Sequence, residues 1–352
     1  MFLYSNEIVF RGHPDKVCDQ ISDAILTSIL KQDPSAHCGI EAMGGKGNIY
    51  ITGEIQSNIP EACLQDVISD MTCKTLNDVG YNSNKYMIIN NVGVQSPDIA
   101  MGVDVGGAGD QGMMFGFATR ETEKMLPKAM VILQEFAQAY DIERTKVSSL
   151  RPDGKAQITG YYDDNFNLQK IKTFTISYQN DETRRKYTDS LLITIASDIC
   201  KKYNVEVETF LVNPTGRFEI GGFEGDAGLT GRKIVVDNYH SFANVGGGAF
   251  SGKDPTKVDR SAAYKARQIA IEYLTRYHQF NKIYVQLSYA IGIDKPLAIY
   301  INTDKGILQP RGSLYEECTP NNIMKEFDLR NFDYTKTAQF GHFGFDFPWE
   351  KI

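Results

Sequence analysis

The residues most able to do chemistry lie in one short stretch, GGGAFSGKDPTKVDR, at positions 246–260. Three cations, Lys253, Lys257 and Arg260, are interleaved there with the carboxylates of Asp254 and Asp259. Lysine neutralises phosphate oxygens and a carboxylate holds Mg²⁺, so this mixture suits a metal-bound polyphosphate. One cation about 4 Å from a phosphate charge is worth about 4 kcal/mol at an effective dielectric of about 20, before desolvation is counted.

Other interpretations compete with this one. A Walker phosphate loop needs Ser or Thr directly after Lys253, where this chain has Asp254. The spacing GxGxxG at 107–112 follows a segment of poor strand character and lacks a suitably placed ribose-binding acid, which disfavours a Rossmann site. A solvated loop that caps a helix remains the alternative for residues 246–260 taken alone.

Further loops carry groups of the same kind. They supply His13, Asp15 and Lys16 in GHPDK (12–16), Arg232 and Lys233 in GLTGRK (228–233), and Lys155 in LRPDGK (150–155). Each has a simpler explanation, since aspartates after a helix start favour its positive end or line a wet face, and a single His is more often structural. Together they indicate a polyphosphate site with several cations.

Regular elements must position these loops, and hydrophobic periodicity predicts the helices. Apolar residues recur every four positions after GHPDK, at Val17, Ile21, Ile25 and Ile29, which is the stripe of an amphipathic helix. A second helix is predicted at 261–274. A third is predicted from Pro127 to Tyr140, with the proline in its first turn.

Strand-like runs separate the predicted helices. They fall at 48–55, 85–94, 157–162, 172–178, 233–238, 282–293 and 296–303. A Gly/Asp-rich loop that opens into small and apolar residues occurs three times, at 12–16, 107–112 and 251–257. We therefore expect a mixed sheet-and-helix unit that is used three times.

Composition excludes several classes of protein. The 352 residues are 42% hydrophobic and 23% charged, as in a globular protein of two or three domains. The net charge of −7 disfavours nonspecific nucleic-acid binding. Apolar runs fall short of the roughly eighteen residues of a membrane span, and the first residues do not resemble a signal peptide, so we expect a cytoplasmic protein without a membrane partner. The six cysteines form no CxxC pair and are expected to be buried free thiols.

Several long blocks, in this order, resemble the signature of the S-adenosylmethionine synthetase family. They are GHPDKVCDQISDAIL, GAGDQGMMFGFAT, NPTGRFEIGG, GDAGLTGRKIVVD and GGGAFSGKDPTKVDRSAAYKAR, and the similarity runs from about Glu7 to Lys351. The resemblance implies an α+β fold of three similar domains related by a pseudo-three-fold. Their sequence ranges are expected at 1–98, 104–221 and 222–352, with structural domains that interleave across these boundaries.

The resemblance also implies a reaction. ATP and L-methionine bind in one site, the methionine sulfur attacks ribose C5′, and the whole triphosphate leaves and is hydrolysed to pyrophosphate and phosphate. The implied cofactors are Mg²⁺, about two per site, and K⁺. Sulfur carries no proton, so the attack needs no general base. Family members pair into dimers, often doubled to tetramers, with active sites built from both subunits.

The resemblance also implies a role for individual residues of this chain, position by position. The catalytic groups implied are His13, Lys155, Arg232, Lys253 and Lys257. The ATP contacts implied are His13, Lys16, Lys155, Phe218, Asp226, Arg232, Lys233 and Lys253, with Phe218 stacked on adenine. The methionine contacts implied are Glu54, Gln95, Asp110, Asp226 and Lys257. Asp15 and Asp259 are the implied Mg²⁺ ligands and Glu41 the K⁺ ligand, although Phe218 could be a plain core aromatic and Glu41 an ordinary surface carboxylate.

The chain departs from the family pattern at two places near the expected site. Residues 8–11 read Ile-Val-Phe-Arg where the family has Ser-Val-Ser/Thr-Glu, and only VDVG separates Gly102 from Gly107, where a longer mobile loop is usual. We therefore expect either a more open mouth or one that is closed by another element, such as the Phe10-Arg11 segment or the partner subunit. A binding-only paralogue or a generic ATP-binding regulator is the alternative function, and the retained site residues favour the enzyme.

Overall fold

The computed structural model describes residues 1–93, 108–181 and 184–352. The strands in these ranges are β1 (Phe2–Val9), β2 (His37–Gly45), β3 (Asn48–Gln56), β4 (Met87–Gly93), β5 (Gly112–Thr119), β6 (Leu150–Tyr162), β7 (Leu168–Asn180), β8 (Val207–Val212), β9 (Gly228–Leu229), β10 (Lys282–Tyr289), β11 (Ala298–Thr303) and β12 (Gly306–Leu308). The helices are α1 (Pro14–Gln32), α2 (Glu61–Val79), α3 (Lys128–Arg144), α4 (Arg185–Lys202), α5 (Ile234–Asp237), α6 (Val258–Arg276), α7 (Leu314–Glu317) and α8 (Pro320–Glu326). Among these described helices, none has the length and apolar character needed to cross a bilayer.

In the described part of the chain the strands form three four-stranded sheets. Their strand orders are β9-β2-β3-β4 (sheet 1), β1-β6-β7-β8 (sheet 2) and β5-β10-β11-β12 (sheet 3). In each sheet an edge strand pairs antiparallel with a central antiparallel hairpin. The last strand is parallel in sheets 1 and 2 and antiparallel in sheet 3, so the three units repeat one plan with a variation at one edge.

The edge strands are exchanged between units in cyclic order. β1, from the first expected range (1–98), completes sheet 2. β5, from the second (104–221), completes sheet 3, and β9, from the third (222–352), completes sheet 1. One edge strand of each sheet therefore comes from a distant part of the sequence. The architecture is the α+β fold that the sequence predicts.

Each sheet packs a helix over one face and has its own apolar core. The predicted stripe of Val17, Ile21, Ile25 and Ile29 is fully buried in the core of sheet 1, which confirms the helix over this segment. Burying one such side chain contributes about 1.5–3 kcal/mol. α3 and α6 bury their apolar faces in the same way, against sheets 2 and 3. The face of sheet 1 opposite α1 is left partly exposed, with Met43 and Tyr50 on it.

Three local predictions were wrong. Residues 233–238, predicted as a strand, instead form the single helical turn Ile234–Asp237. The turn is stabilised by two ion pairs with α1, Asp237 with Lys16 and Lys233 with Asp15. Lys155 lies within β6, opposite Val9, rather than in a loop. Cys63 is exposed on α2, so not every thiol is buried.

The Phe10-Arg11 segment belongs to the core and not to a lid. Phe10 is 1% exposed and its ring stacks on Tyr140 of α3 at a centroid distance of 4.2 Å. Arg11 Nε donates to Gln20 Oε1 at 2.7 Å, and its guanidinium lies 3.5 Å from Asp141. The segment therefore joins α1 to α3, and it cannot close over the site as expected.

Candidate active site

Strand β2 holds two of the cation-bearing loops along one edge. Met43 pairs with Leu229, four residues before Lys233, and Gly39 pairs with Lys253. The two anchor points are four residues apart along β2, or about 13 Å. The strand thus fixes both loops but keeps them separate.

Aspartates on one face of α1 hold the same loops from the other side. They accept backbone N–H bonds, Asp15 from Leu229 at 2.9 Å, Asp19 from Gly231 at 2.8 Å and Asp23 from Gly252 at 2.9 Å. Their spacing of four residues places them in a row along the helix. All three are buried, so the simpler alternative of a wet helix face does not hold for them.

The first group of charges surrounds Asp15 at the start of α1. Lys233 Nζ lies 2.5 Å from Asp15 Oδ2, and Arg232 Nε lies 3.6 Å from Asp15 Oδ1. The Arg232 side chain is 52% exposed, and Lys155 on β6 is also exposed. We call this group the Asp15 cluster, and its members are His13, Asp15, Lys155, Asp226, Arg232 and Lys233. It offers an anionic ligand several cations at one helix start.

His13 is the N-cap of α1, and its geometry fixes how it can act. Its Nδ1 accepts the amide of Asp15 at 3.2 Å, so the neutral ring carries its proton on Nε2. Burial, then the charges of Lys233 and Lys155, lower the pKa of His13 to about 4, against a smaller opposing effect of Asp15. At neutral pH the side chain is therefore an uncharged hydrogen-bond donor through Nε2.

The second group of charges, the Lys253 cluster, consists of Lys253, Asp254, Lys257 and Asp259. The Lys253 ammonium donates to the Asp259 carboxylate. Lys257 Nζ donates to Asp254 Oδ2 at 2.7 Å, and the amide of Cys38 donates to the same oxygen at 2.8 Å. Asp254 is fully buried, and Lys257 lowers its pKa despite that burial. The carboxylate that stands where a Walker loop has a hydroxyl is thus an anchor for the loop.

Two further predicted residues lie on the partly exposed face of sheet 1. Glu54 is opposite Gly39, and a Cβ on that glycine would lie 2.6 Å from Glu54 Oε1. The Glu54 carboxylate therefore covers the point where Lys253 is anchored. Glu41 is exposed, is opposite Thr52, and lies on β2 between the anchor points of the two clusters.

Lys16 differs from the other predicted phosphate contacts because its ammonium is completely buried. It lies 3.0 Å from Asp19 and 2.5 Å from Asp237. Burial alone would lower its pKa, but the two carboxylates raise it. One cation thus faces two carboxylates, and burial in turn raises the pKa of Asp237 to about 7.

The remaining predicted residues are less tightly placed. Phe218 is half-buried, and its carbonyl accepts the amide of Asn180 at 2.9 Å. Asp226 and Asp110 are exposed, and the carboxylate of each accepts the amide of the next residue. Gln95 and the shortened VDVG connection lie outside the described residues.

One predicted cation has a different role, and one buried carboxylate was missed. Arg260, one of the three cations of residues 246–260, is fully buried and forms a two-pronged pair with Asp23, at 2.7 and 2.8 Å, so it does not face a phosphate as the sequence suggested. Asp153 accepts the amide of Gly222 at 2.7 Å, and burial raises its pKa to about 6. The spacing of Asp15, Asp19 and Asp23 was the available signal for the first pair, whereas no local pattern marked the second.

A cleft of about 450 Å³ opens beside the Asp15 cluster, with Glu7, Gln157, Arg232 and Lys233 on its walls. Within residues 1–93, 108–181 and 184–352, no group of three or more His, Cys, Asp or Glu side chains is arranged to hold a metal ion by itself. Asp15 and Asp259 are hard oxygen donors beside cations that the resemblance assigns to phosphate. Their chemistry fits Mg²⁺, which prefers oxygen ligands.

Comparisons with known proteins match nearly the whole chain to one family. Family models described as the N-terminal, central and C-terminal domains of S-adenosylmethionine synthetase match residues 1–97, 105–218 and 220–351. An S-adenosylmethionine synthase of Clostridium tetani is 41% identical over 386 residues, covering 99% of this chain and 97% of that protein. The synthase of Nitratiruptor sp. is 41% identical over 376 residues, covering 99% and 95%. That of Helicobacter pylori is 40% identical over 376 residues, covering 99% and 96%.

Proposed function

The chain belongs to the S-adenosylmethionine synthetase family and makes S-adenosylmethionine from ATP and L-methionine, and we propose that the Asp15 cluster is where the triphosphate departs. The observation that carries this proposal is the position of His13 at the helix start, where Nδ1 accepts the Asp15 amide and Nε2 is left as the donor, and where Lys233 and Arg232 face the adjacent Asp15. We further propose a cytoplasmic location.

The chemistry needs charge stabilisation more than it needs a base. The methionine sulfur attacks C5′ with its own lone pair, the C5′–O5′ bond breaks, and negative charge develops on the triphosphate. His13 Nε2–H donates to the departing oxygen, while Lys155, Arg232 and Lys233 neutralise the phosphate oxygens. The triphosphate is then hydrolysed to pyrophosphate and phosphate. Preorganised donors of this kind each contribute about 10²- to 10³-fold in rate.

Enzymes of this family use metal ions, and we assign the ions as Mg²⁺, about two per site, and K⁺. Asp15 and Asp259 would hold Mg²⁺, and Glu41 would hold K⁺. When bound, Mg²⁺ supplies positive charge to the phosphate oxygens. In the free chain Lys233 and Lys253 pair with the two carboxylates that would hold Mg²⁺, so both lysines would have to leave these carboxylates to contact the phosphate oxygens.

The other assignments follow the resemblance to the family, position by position. Lys253 contacts the triphosphate, Phe218 stacks on adenine and Asp226 serves both substrates. Methionine is held by Glu54, Lys257, Gln95 and Asp110. Lys16 acts on the site through its charge and not through contact. A direct phosphate contact would require its ammonium to leave Asp19 and Asp237.

We propose that a complete site needs two copies of the chain. The Asp15 and Lys253 clusters are anchored about 13 Å apart along β2, and Glu54 belongs with the second. Large apolar side chains remain exposed on the uncovered sheet faces, including Met43, Tyr50 and Met113. Pairing of these faces would bury them and bring the Asp15 cluster of one copy to the Lys253 cluster of the other.

The reaction is tested with purified protein, ATP, methionine, Mg²⁺ and K⁺. We expect S-adenosylmethionine by mass spectrometry, with pyrophosphate and phosphate in equal amounts. ADP as the main product would overturn the proposed chemistry and favour an ordinary ATPase.

The shared site is tested by mixing inactive variants, Asp15→Asn and Lys253→Ala, after joint refolding. Half of the dimers would be mixed and each would hold one intact site, so about a quarter of the wild-type activity should return. Asp15→Asn mixed with Lys233→Gln is the matched control, because both changes lie in one cluster and no intact site can form. Equal recovery in the two mixtures, or none in either, would contradict a site made from two chains.

A further inference from the structure

We propose that Tyr81 is a positioning residue for the reaction, which fixes the turn carrying His13 against the segment carrying Asp226. The inference rests on the proposed role of His13 as donor to the departing oxygen. Tyr81 follows α2 and belongs to neither charged cluster. Its two contacts join segments that are distant in the sequence.

The first contact is a hydrogen bond to the backbone before His13. Tyr81 Oη donates to the carbonyl oxygen of Gly12 at 2.6 Å. On the other side of the same peptide unit, the amide of His13 donates to the carbonyl of Phe10 at 3.0 Å. Both polar groups of this peptide are thus satisfied by fixed partners, which sets the direction in which the His13 side chain leaves the backbone.

Gly12 itself is tightly enclosed. A Cβ at this position would lie 2.3 Å from Pro152 Cβ, so the turn rests directly on the strand that leads to Asp153 and Lys155. The turn cannot shift toward Pro152, and the Tyr81 hydroxyl holds it from another side. The position of His13 relative to Lys155 therefore depends on both contacts.

The second contact is between the Tyr81 ring and the segment that precedes Asp226. A Cβ at Gly222 would lie 2.5 Å from Cε1 of the ring, and Gly222 has a φ of +62°, where glycine is favoured. The Gly222 amide donates to Asp153, and its carbonyl accepts the amide of Asp226 at 3.0 Å. One aromatic ring thus sets the distance between the His13 turn and the Asp226 segment.

The hydroxyl acts as a fixed donor and not as an acid or base. Burial, reinforced by the charge of Asp153, raises the pKa of Tyr81 well above its ordinary value. The phenol keeps its proton, and that proton is committed to the Gly12 carbonyl. Its effect on catalysis is therefore geometric.

The test is Tyr81→Phe, which removes the hydroxyl and keeps the ring. Tyr86→Phe is the matched control. Both tyrosine rings contact Phe223, at centroid distances of 6.2 Å for Tyr81 and 5.7 Å for Tyr86, but only Tyr81 donates to Gly12. For Tyr81→Phe we expect kcat to fall about 10- to 100-fold, since small misplacements of reacting groups cost this much, with KM for methionine changed less than about twofold. Tyr86→Phe should stay within about twofold of wild type in both constants.

A second measurement does not depend on turnover. The imidazole resonances of His13, assigned with a His13→Gln reference, should move at fixed pH in ligand-free Tyr81→Phe and stay in place in Tyr86→Phe. Unmoved resonances in Tyr81→Phe would overturn the proposal whatever the kinetics show. Moved resonances with an unchanged kcat would overturn the role in catalysis. Absence of S-adenosylmethionine synthesis by the wild type would instead reject the proposed function, which the resonances do not report.

Discussion

The ammonium of Lys233 lies 2.5 Å from Oδ2 of Asp15, so a proposed phosphate contact and a proposed metal ligand neutralise each other in the free chain. The arrangement satisfies a carboxylate that is only 2% exposed. It also keeps Lys233 and Asp15 next to the proposed phosphate and metal positions. Binding of the triphosphate would draw Lys233 away from Asp15 and leave that carboxylate able to hold a metal ion.

Lys233→Gln should therefore lower kcat/KM for ATP by about 10²- to 10³-fold, because the change removes a charge that faces the departing triphosphate. Steady-state kinetics with varied ATP measures this. Lys201→Gln, at an exposed pair on α4, is the control and should change the ratio less than about twofold. A Lys233→Gln enzyme within a few-fold of wild type would show that Lys233 serves only to pair with Asp15.

Lys253→Ala and Asp259→Asn should each lower kcat by about 10²- to 10³-fold while the fold is retained, since each removes a group assigned to the triphosphate or its metal. Circular dichroism and kinetics on the same samples measure both properties. Native spectra with activity within a few-fold of the parent would support the solvated-loop interpretation for that residue.

The sequence predicts the helix that begins at the site better than it predicts the distant contacts that hold this helix in place. Pro14 and the apolar stripe that begins at Val17 locate the helix whose N-cap is His13, because capping and periodicity are local signals. Asp19 and Asp23 could not be recognised as buried, because their partners Gly231 and Gly252 are more than 200 residues away. The helical turn at 234–237 was mistaken for a strand because its β-branched residues favour strands and only the tertiary contact of Asp237 with Lys16 decides otherwise.

Asp23→Asn should destabilise the protein by about 3–5 kcal/mol, because it leaves the guanidinium of Arg260 buried without its counter-charge. Denaturant unfolding measures the loss. Asp198→Asn, at an exposed ion pair with Lys201, is the control and should cost less than about 0.5 kcal/mol. Equal losses in the two variants would mean that burial does not govern the Asp23 pair.

Stability should also depend on the ionisation of Asp237. Burial raises its pKa to about 7, since Lys16 compensates only in part and Asp19 competes for the same ammonium. The folded state thus binds a proton that the unfolded state has released, and this contribution to stability is lost as pH rises from about 4 to about 7. Relative to wild type, Asp237→Asn should gain melting temperature between about pH 5 and about pH 8. A difference in melting temperature that is independent of pH would show that Asp237 is ionised throughout.

The cyclic exchange of edge strands has a consequence for the order in which a nascent chain can fold. Sheet 2 has all its described strands once Val212 has been synthesised, because its edge strand β1 is made first. Sheet 1 contains the early helix α1 but must wait for Leu229 to receive β9. On the ribosome the middle unit can therefore close before the first unit, and the Asp15 cluster can assemble only when about two thirds of the chain has been translated.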